Sequence, residues 1–520
     1  MTGVTNASLP TGWLWVQASH VADVVTGNTP PTSDASNYGG EIPFVKPPQL
    51  VNTSISSAPE TISSLGAAYA RVLPVGAVLV SCIGNLGKTA ILKVRAATNQ
   101  QINALVFDSG VKPEFGFYYA QTMEPWLIAA SSATTVAIVN KGKFESAPFP
   151  LAPVAEQTRI VEKLEVLLSD LDAGVAELKA AQKKLTRYRQ SLLKAAVEGA
   201  LTAEWRKHNQ PTESGAQLLQ RILKERRARW QAKQLAKFKE QGKAPPKDWQ
   251  DKYSEPVKAD TADSQALPAG WAWASVEQLG DVQLGRQRSP NKMTGENPAK
   301  YIRAANITEQ GINFVDVLEM DFDERERITF ALKAGDVLLT EASGSAQHVG
   351  RPVIWRSVDG LYCFQNTVIR FSPQGIGSEF AFRVFLAFQK LGKFQQLSSG
   401  VGINHLSAGK FSSMPIPLPP LAEQIAIVES LEMSYVSLIE QEAVIERALK
   451  QSAAQRKNIL KAAFSGKLVP QDPNDEPASV LLARIRAERA GLALVKTVKK
   501  RVPAPVVDNF GLSHLNPERA

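Results

Sequence analysis

Hydrophobic positions follow two rhythms along this chain, and each rhythm occurs twice. In residues 9–153 and 267–417, short apolar runs, such as residues 77–80 (AVLV) and 104–107 (ALVF) of the first region, alternate with stretches of Gly, Pro, Asn and Ser. Short apolar runs bounded by turn-forming residues are typical of buried strands. We therefore predict two compact α/β domains, each built on an irregular, mainly antiparallel sheet.

A second rhythm, with apolar residues at every seventh position, follows each of these regions. In the first half this column consists of Leu164, Leu171, Leu178, Leu185 and Leu192. In the second half it consists of Leu431, Leu438, Ile445, Ser452 and Ile459. A seven-residue repeat indicates the seam of a long coiled-coil helix. Since each helix must cover its apolar stripe, we expect the two to form an antiparallel coiled coil; the alternative is that each is buried on its own domain.

The two halves of the chain resemble each other directly. Residues 144–165 match residues 411–432 at fourteen of twenty-two positions without a gap, an offset of 267 that continues to the end of both predicted helices. A shorter match, LPxGWxW, begins at Leu9 and again at Leu267. A repeat of this length fixes the architecture as domain, helix, domain, helix.

Charge is unevenly distributed along the chain. The 520 residues include 59 Lys and Arg against 50 Asp and Glu, a net charge of +9. Residues 179–247 alone hold 18 basic and 5 acidic residues, an excess larger than that of the whole chain. A basic segment attracts phosphates whatever the base sequence, which indicates a polyanionic partner. The alternative is a solvated helix face with surplus Lys and Arg.

Composition excludes several classes of protein. Hydrophobic residues at 44% and charged residues at 21% are ordinary for folded domains. Apolar runs fall short of the roughly eighteen residues of a membrane span, and residues 1–10 lack the pattern of a secretory leader, so we expect a cytoplasmic protein without membrane contact. With only Cys82 and Cys363, and histidines without metal-ligand spacing, we predict neither disulfides nor a metal site.

Motifs for catalysis are absent or incomplete. Residues 82–89 (CIGNLGKT) resemble a phosphate-binding loop, but they begin with Cys rather than Gly, and the matching residues 340–345 (TEASGS) contain no Lys. The sequence has no methyltransferase motifs for methyl donor or flipped base, and no nucleophile elbow. The acidic residues of 321–326 are interpreted as a solvated loop. We therefore predict a binding or scaffold protein without intrinsic enzymatic activity or bound cofactor.

Polar side chains that can hydrogen-bond to bases occur at comparable places in the two domains. Residues 99–103 (NQQIN) precede an apolar strand, as residues 364–367 (FQNT) do. Asn and Gln amides match adenine, and Arg matches guanine. The predicted DNA-contacting residues of the first domain are Lys46, Asn85, Lys88, Thr89, Gln100, Gln101, Lys141 and Lys143. Those of the second domain are Arg303, Asn306, Ser343, Ser345, Gln347, His348, Arg351, Gln365, Asn366, Asn404, His405 and Lys410. Taken singly such residues are typical of turns and strand ends; together they indicate a reading surface.

These features together resemble the specificity subunit of type I restriction–modification systems. The junctions LAPVAEQ at residues 151–157 and LPPLAEQ at residues 418–424 match the family's entry into its conserved helices. The first junction departs from this motif at Ala152, where the second has Pro. The resemblance covers residues 9–490 and implies that each globular domain binds one half of a bipartite target in double-stranded DNA. It also implies that the helices set the half-site spacing and dock two methyltransferase subunits, which restriction subunits join. These partners, rather than this chain, would use S-adenosylmethionine, ATP and Mg²⁺.

On this basis we expect six segments. They are a first recognition domain at 1–150, a helical region at 151–240, a linker at 241–266, a second recognition domain at 267–417, a second helical region at 418–490 and a tail at 491–520. The basic residues 200–262 and the tail depart from the family's minimal plan. The alternative function is a two-domain scaffold that recognises protein or carbohydrate rather than DNA.

Overall fold

The structure is a computed structural model that describes residues 9–132, 136–262, 264–288, 295–356, 358–397 and 404–501. The chain divides into two compact units. Unit 1 consists of Met1–Leu178 and Arg447–Ala520, and unit 2 consists of Lys179–Glu446. Each unit holds one globular domain and a part of each of two long helices. The tandem plan of domains and helices predicted from the sequence is confirmed. Residues 502–520, in the predicted tail, lie outside the described part of the chain.

The first globular domain lies in unit 1. Its strands are β1 (Leu14–Gln17), β2 (Ala22–Thr26), β3 (Tyr38–Val45), β4 (Thr53–Ile55), β5 (Thr61–Ile62), β6 (Val78–Ser81), β7 (Thr89–Leu92), β8 (Ala97–Thr98), β9 (Ile102–Phe107) and β10 (Pro148–Leu151). Its helices are α1 (Ser64–Tyr69), α2 (Pro113–Ala120), α3 (Glu124–Ala130) and α4 (Lys141–Glu145), with 3₁₀ turns at Ala18–His20, Ala35–Asn37 and Pro47–Gln49. The main sheet has the order β2-β9-β6-β7-β4, a smaller sheet has the order β5-β3-β8, and β1 pairs with β10.

Both faces of the main sheet are covered, which explains the unbroken apolar runs in its strands. Along β6, Val78 and Val80 belong to one hydrophobic cluster, whereas Leu79 belongs to another. Successive residues of a strand point to opposite faces, so all three are buried only when both faces are packed. Pairing is antiparallel except between β3 and β8 and between β4 and β7.

Three helices follow the first domain. They are α5 (Val154–Val197), α6 (Ala203–His208) and α7 (Gly215–Glu240). Helix α7 carries much of the excess of basic residues in 179–247. The chain that follows α7 packs back against the C-terminal part of this helix. Trp230 of α7 stacks on Trp249 with ring centroids 5.8 Å apart. Tyr253 packs edge-on against the ring of Trp230, with centroids 5.3 Å apart. These aromatic contacts pack the segment that follows α7 back against this helix.

The second globular domain lies in unit 2. Its strands are β11 (Ala272–Ser275), β12 (Gly280–Leu284), β13 (Pro298–Ile302), β14 (Ile307–Thr308), β15 (Gly311–Ile312), β16 (Leu318–Asp321), β17 (Val337–Thr340), β18 (Ala342–Ser343), β19 (Pro352–Ile354), β20 (Tyr362–Phe364), β21 (Val368–Pro373), β22 (Asn404–His405) and β23 (Pro415–Leu418). Its helices are α8 (Val276–Leu279), α9 (Glu324–Phe330), α10 (Ser378–Lys390), α11 (Lys393–Leu397) and α12 (Ala408–Ser412), with 3₁₀ turns at Ala304–Asn306 and Ala346–His348; another 3₁₀ turn, Trp249–Lys252, precedes the domain.

The two domains share a common topology, to which the first domain adds β4 and the second adds the pairs β14-β15 and β18-β22. In the second domain the main sheet has the order β12-β21-β17-β19, the smaller sheet has the order β16-β13-β20, and β11 pairs with β23. These elements correspond in turn to β2-β9-β6-β7, to β5-β3-β8 and to β1 with β10 of the first domain. The smaller sheets even share one parallel pair, β3 with β8 and β13 with β20. The sequence repeat therefore extends to the folds of segments whose sequences have diverged.

The acidic residues at 321–326 do not form a solvated loop, and that interpretation was wrong. Asp321 ends β16 and accepts a hydrogen bond from the backbone of Asn297 at 2.9 Å. Asp323 caps α9, and Glu326 accepts from Nε of Arg286 at 2.8 Å. Capping and ion pairing place these carboxylates in structural roles.

The second long helix and the helix after it complete the chain. They are α13 (Leu421–Phe464) and α14 (Ala478–Arg501). In unit 1, Leu164 near the start of α5 shares a hydrophobic cluster with Leu460 near the end of α13. In unit 2, Leu192 near the end of α5 shares a cluster with Leu431 near the start of α13. The two helices therefore run antiparallel, as the heptad pattern predicted.

Most residues of the predicted helix seam face these clusters. The buried members are Leu164, Leu192, Leu431, Leu438 and Ile445. The partly buried members packed against a cluster are Leu171, Leu185 and Ile459. Leu178 is also partly buried. Ser452 breaks the column, and its hydroxyl donates to the carbonyl of Ala448 at 2.9 Å.

The repeated Trp and Ala-Glu-Gln motifs meet where each domain joins its helix. Nε1 of Trp13 donates to Oε2 of Glu156 at 2.8 Å, and Nε1 of Trp271 donates to Oε2 of Glu423 at 2.8 Å. Both carboxylates are buried. Most buried polar groups are hydrogen-bonded, so this contact fixes the helix start on the domain and accounts for the repetition of both motifs.

Candidate nucleic-acid interface

The predicted reading segments form the same turn in both domains. Between β8 and β9, the N–H of Ile102 donates to the carbonyl of Asn99 at 3.2 Å. Between β20 and β21, the N–H of Val368 donates to the carbonyl of Gln365 at 2.9 Å. A hydrogen bond across four residues defines a β-turn. The central residues of these turns are Gln100 and Gln101 in the first domain, and Asn366 and Thr367 in the second.

Equivalent backbone hydrogen bonds hold the two turns in place. The carbonyl of Gln101 accepts from the N–H of Cys82 at 2.8 Å, and the carbonyl of Thr367 accepts from the N–H of Glu341 at 2.8 Å. Cys82 and Glu341 each follow the central strand of their sheet, β6 or β17. The turns are therefore tied directly to the rigid part of each domain.

A glycine packs against each turn from the other side. A Cβ on Gly27 would lie 2.1 Å from the carbonyl oxygen of Asn99, and one on Gly285 would lie 2.2 Å from that of Gln365. No side chain fits at such distances, so both positions require glycine for the close approach of two backbones. Each turn is thus enclosed by backbone on two sides.

The side chains of the first turn are partly fixed by neighbours. Gln100 is exposed, and its Oε1 accepts from the hydroxyl of Thr29 at 2.7 Å. Gln101 is partly exposed, and its Oε1 accepts from Nδ2 of Asn99 at 3.0 Å. The amide nitrogen of exposed Gln100 has no hydrogen-bond partner among the described residues, so a ligand can accept from it.

The second turn carries different side chains on the same frame. Asn366 is partly exposed. Its side-chain amide has no hydrogen-bond partner among the described residues. Thr367 instead supports the neighbouring loop, because its Oγ1 accepts from the N–H of Ala304 at 3.1 Å. Gln365 is also partly exposed.

The glycine-rich loop of the first domain lies beside the first turn. It connects β6 to β7 and does not lead into a helix, so it lacks the helix N-terminus of a phosphate-binding loop. Asn85 is exposed, and Lys88 is partly exposed without an ion pair among the described residues. Thr89 corrects the prediction, because it is fully buried and its hydroxyl donates to Oδ1 of Asn52 at 2.9 Å.

The other predicted cations of the first domain have partners within the domain. Lys46 pairs with Glu60 at 2.5 Å, and Lys141 pairs with Glu145 at 3.5 Å. Nζ of Lys143 donates to the carbonyl of Ala130 at 2.9 Å. Exposed pairs of this kind exchange readily with solvent, so these lysines remain accessible to phosphate.

In the second domain, a short antiparallel ladder brings several candidates together. Strands β18 and β22 place Ser343 opposite Asn404 and Ala342 opposite His405. Nδ1 of His405 lies 3.1 Å from Oε1 of Glu341, the residue whose N–H holds the second turn. In the loop that follows, the predicted residues Ser345, Gln347 and His348 are exposed.

The remaining candidates of the second domain differ in accessibility. Arg303 forms an ion pair with Asp316, and Nζ of Lys410 donates to a backbone carbonyl at 3.1 Å. Nε of Arg351 is buried without a hydrogen-bond partner. Asn306 corrects the prediction, because it is 1% exposed and its Nδ2 donates to the carbonyl of Asp316 at 2.9 Å.

Sequence reasoning missed Thr29, Arg286 and Glu341. Thr29 orients Gln100, and Arg286 is buried against Glu326 beside the second turn. Each of Thr29 and Arg286 lies within two residues of the glycine that packs on its turn. The glycine that follows an apolar strand, Gly27 or Gly285, was the available signal in the sequence. Its importance depends on its packing against Asn99 or Gln365, which are distant in sequence.

The site presents hydrogen-bonding groups rather than catalytic ones. Burial raises the pKa of the Cys82 thiol to about 12, so it is not a thiolate nucleophile. Among the described residues no group of three His, Cys, Asp or Glu side chains is placed to hold a metal ion. Within the same part of the chain, no helix has the length and apolar character needed to cross a membrane.

The chain is similar to known proteins along nearly its whole length. A family profile described as type I restriction modification DNA specificity domain matches residues 10–181 and 268–451. The type I restriction enzyme StySPI specificity subunit of Salmonella potsdam is 22% identical, covering 96% of this chain and 100% of that protein. The EcoKI specificity subunit of Escherichia coli strain K12 is also 22% identical, covering 95% and 99%. A solved structure concerning assembly and conformational transition of the type I R-M system contains a chain of the same fold, with TM-score 0.62 and 18% identity over 88% of this chain and 99% of that one.

Proposed function

Because this chain belongs to the family of type I restriction–modification DNA specificity domains, we propose that it selects the DNA target of such a system by reading a bipartite sequence. Each globular domain contributes its polar face to one half of the target. The pair of equivalent turns, one in each domain, carries this proposal. The two domains share this frame but surround it with different accessible polar side chains, such as Lys88 in the first and His405 in the second, so the two half-sites differ and the target is asymmetric.

The long helices act as the ruler between the half-sites. Helices α5 and α13 have 44 residues each and share an apolar seam. A paired helix keeps its length, at about 1.5 Å per residue, whereas a flexible linker does not. Rigid helices therefore favour one number of base pairs between the two contacted sequences.

The outer face of α13 supports the docking of partner subunits. The exposed apolar residues on this face are Ile425, Met433, Val436, Ile439 and Val444. Their spacings of three, eight and five residues cluster them on the side away from the seam. Contiguous exposed apolar surface marks protein interaction sites. The corresponding residues of α5 are Thr158, Val166, Ser169, Asp172 and Glu177, so the two helices would bind their partners differently.

The partners would be two methyltransferase subunits, joined by restriction subunits that move along and cut DNA. The chain itself is the non-catalytic specificity subunit. Methyl transfer from S-adenosylmethionine, and ATP- and Mg²⁺-dependent cleavage, would belong to the partners. The complex would act in the cytoplasm, where DNA is accessible. The alternative, a scaffold for protein or carbohydrate, is not favoured, because the family match is to a DNA specificity domain.

Domain exchange tests the proposed function. Residues 9–150 are replaced by the equivalent domain of a relative with a different known target, and the full chain is reconstituted with methyltransferase subunits. Sequencing of bound members of a random duplex library should show one half of the motif changed and the other half retained. The two domains have separate cores, so their contributions add independently.

The matched control exchanges residues 267–417 and should change only the other half. Changes in both halves from either exchange would contradict modular reading. Failure of the wild-type complex to retain any duplex at low salt would support the scaffold alternative, since phosphate contacts make DNA binding strongly salt-dependent.

A further inference from the structure

We infer that Gln100 and Asn366 are the equivalent base-reading residues of the two domains, and that each recognises an adenine in its own half-site. This inference rests on the proposed function, because it assigns a base to one residue of each reading face. It is carried by the positions of the two residues in the structure. They do not align in the segments where the two halves match in sequence.

The two residues occupy the same corner of the same turn. Each follows directly the residue whose carbonyl closes the turn, Asn99 or Gln365. Each turn is bounded on one side by a glycine that admits no Cβ. The backbone under both residues is therefore equally fixed, and their side chains start from equivalent points.

At the corner position of each turn the side-chain amide nitrogen, of Gln100 or Asn366, has no hydrogen-bond partner among the described residues; the same holds for Gln365, which precedes the corner of the second turn. In the first turn, the amides of Asn99 and Gln101 bind each other at 3.0 Å. In the second turn, the hydroxyl of Thr367 is used by the backbone of a neighbouring loop. Both domains thus leave a carboxamide at the corner position, Gln100 or Asn366.

A carboxamide matches adenine because one group supplies both an acceptor and a donor. Its oxygen accepts from N6–H and its nitrogen donates to N7 in the major groove. For Gln100, the hydroxyl of Thr29 occupies one lone pair of Oε1 and leaves the second for adenine. This bond also holds the amide in one orientation, which lowers the entropy lost on binding. Asn366 has no such support among the described residues, so its preference should be weaker.

Base preferences of single variants test the assignment. The reconstituted complex, with the full chain, selects from a duplex library in which every target position is varied. Gln100→Ala should lower the preference for adenine roughly 10-fold at one position of the first half-site, with all other positions unchanged. Asn366→Ala should do the same at one position of the second half-site. Gln17→Ala, at an exposed glutamine of β1, is the matched control and should leave the motif unaltered.

Two further variants separate base reading from a structural role. Gln100→Glu keeps the shape of the side chain but removes the donor, so preference at the same position should move from adenine to cytosine, whose N4 amino group donates to a carboxylate. Thr29→Val should weaken the adenine preference a few-fold without changing the base preferred. A structural role for Gln100 would give neither result.

The outcomes distinguish this inference from the proposed function. Unchanged base preferences in both alanine variants, with domain exchange still altering one half-site, would overturn the adenine assignment and leave the function standing. A uniform loss of affinity at all positions would assign both residues to backbone contacts and would equally overturn it. A wild-type complex that selects no motif would defeat the proposed function itself.

Discussion

Replacing Glu423 by Gln should destabilise unit 2 much more than replacing Glu156 by Gln destabilises unit 1. The two glutamates occupy the same place in the repeat and each accepts from an indole at 2.8 Å. Their second oxygens differ. Oε1 of Glu423 accepts from Thr202 at 2.6 Å and from Arg206 at 2.5 Å, whereas Oε1 of Glu156 has no hydrogen-bond partner among the described residues.

The expected magnitudes follow from these contacts. Breaking a buried ion pair by removing one charge costs about 3–5 kcal/mol, and the 21% exposure of the Arg206 side chain lowers this to about 2–3 kcal/mol for Glu423→Gln. In Glu156→Gln, the amide oxygen still accepts from Trp13 and no cation at bonding distance is lost. The free energy of unfolding should therefore change by no more than about 1 kcal/mol.

The two variants should also differ in their dependence on pH. Burial is the largest influence on Glu156 and raises its pKa above the ordinary value of 4.5. The folded chain then holds this proton more tightly than the unfolded chain, so the glutamate's contribution is full below pH 4.5 and is lost as pH rises through the folded pKa. Glu156→Gln removes that loss, and its stability relative to wild type should improve as pH rises.

Urea unfolding followed by hydrogen exchange of peptides from each unit measures both effects in the same sample. Each variant serves as control for the other, because their contacts lie in different units. Equal destabilisation of the two units would show that Arg206 is not the source of the difference. A stability difference between Glu156→Gln and wild type that does not change with pH would refute the assignment of the raised pKa.

Three other outcomes are expected. Inserting four helical residues after Leu178 lengthens α5 by about 6 Å, so the preferred spacer between the half-sites should grow by about one or two base pairs of roughly 3.4 Å each. Methylation of duplexes with graded spacers measures this change, and an unchanged optimum with full activity would show that the helices do not set the spacing. Charge reversal at Lys88 or Arg351 should weaken duplex binding roughly 10-fold more than reversal at exposed Lys179, and equal effects would remove both from the interface. Gly174→Ala should stabilise the chain by up to about 1 kcal/mol in urea unfolding, since no neighbouring atom lies within 4 Å of the added Cβ; destabilisation would contradict an open helix surface there.

The sequence predicted which segments carry the candidate site, but it did not show which of their side chains are exposed. Asn and Gln residues before apolar strands are typical of turns, and both segments do form turns in the structure. Thr89 and Asn306 have the same polar character as their neighbours, yet both are buried and bonded within their domain. Side chains that face a ligand and side chains that hold a loop use the same donors and acceptors, so composition does not distinguish them.

The sequence by itself determined the architecture. The 267-residue offset, the seven-residue column and the paired Trp and Ala-Glu-Gln motifs specify two domains and two packed helices, because periodicity and repetition are local properties of the chain. Only the tertiary structure decided that Gln100 and Asn366 are equivalent. That equivalence depends on Gly27, Cys82 and their counterparts, which reach the turns across the sheet from distant positions in the sequence. Backbone contacts of this kind need only a main-chain N–H or the lack of a Cβ, so they leave almost no pattern in the amino-acid sequence.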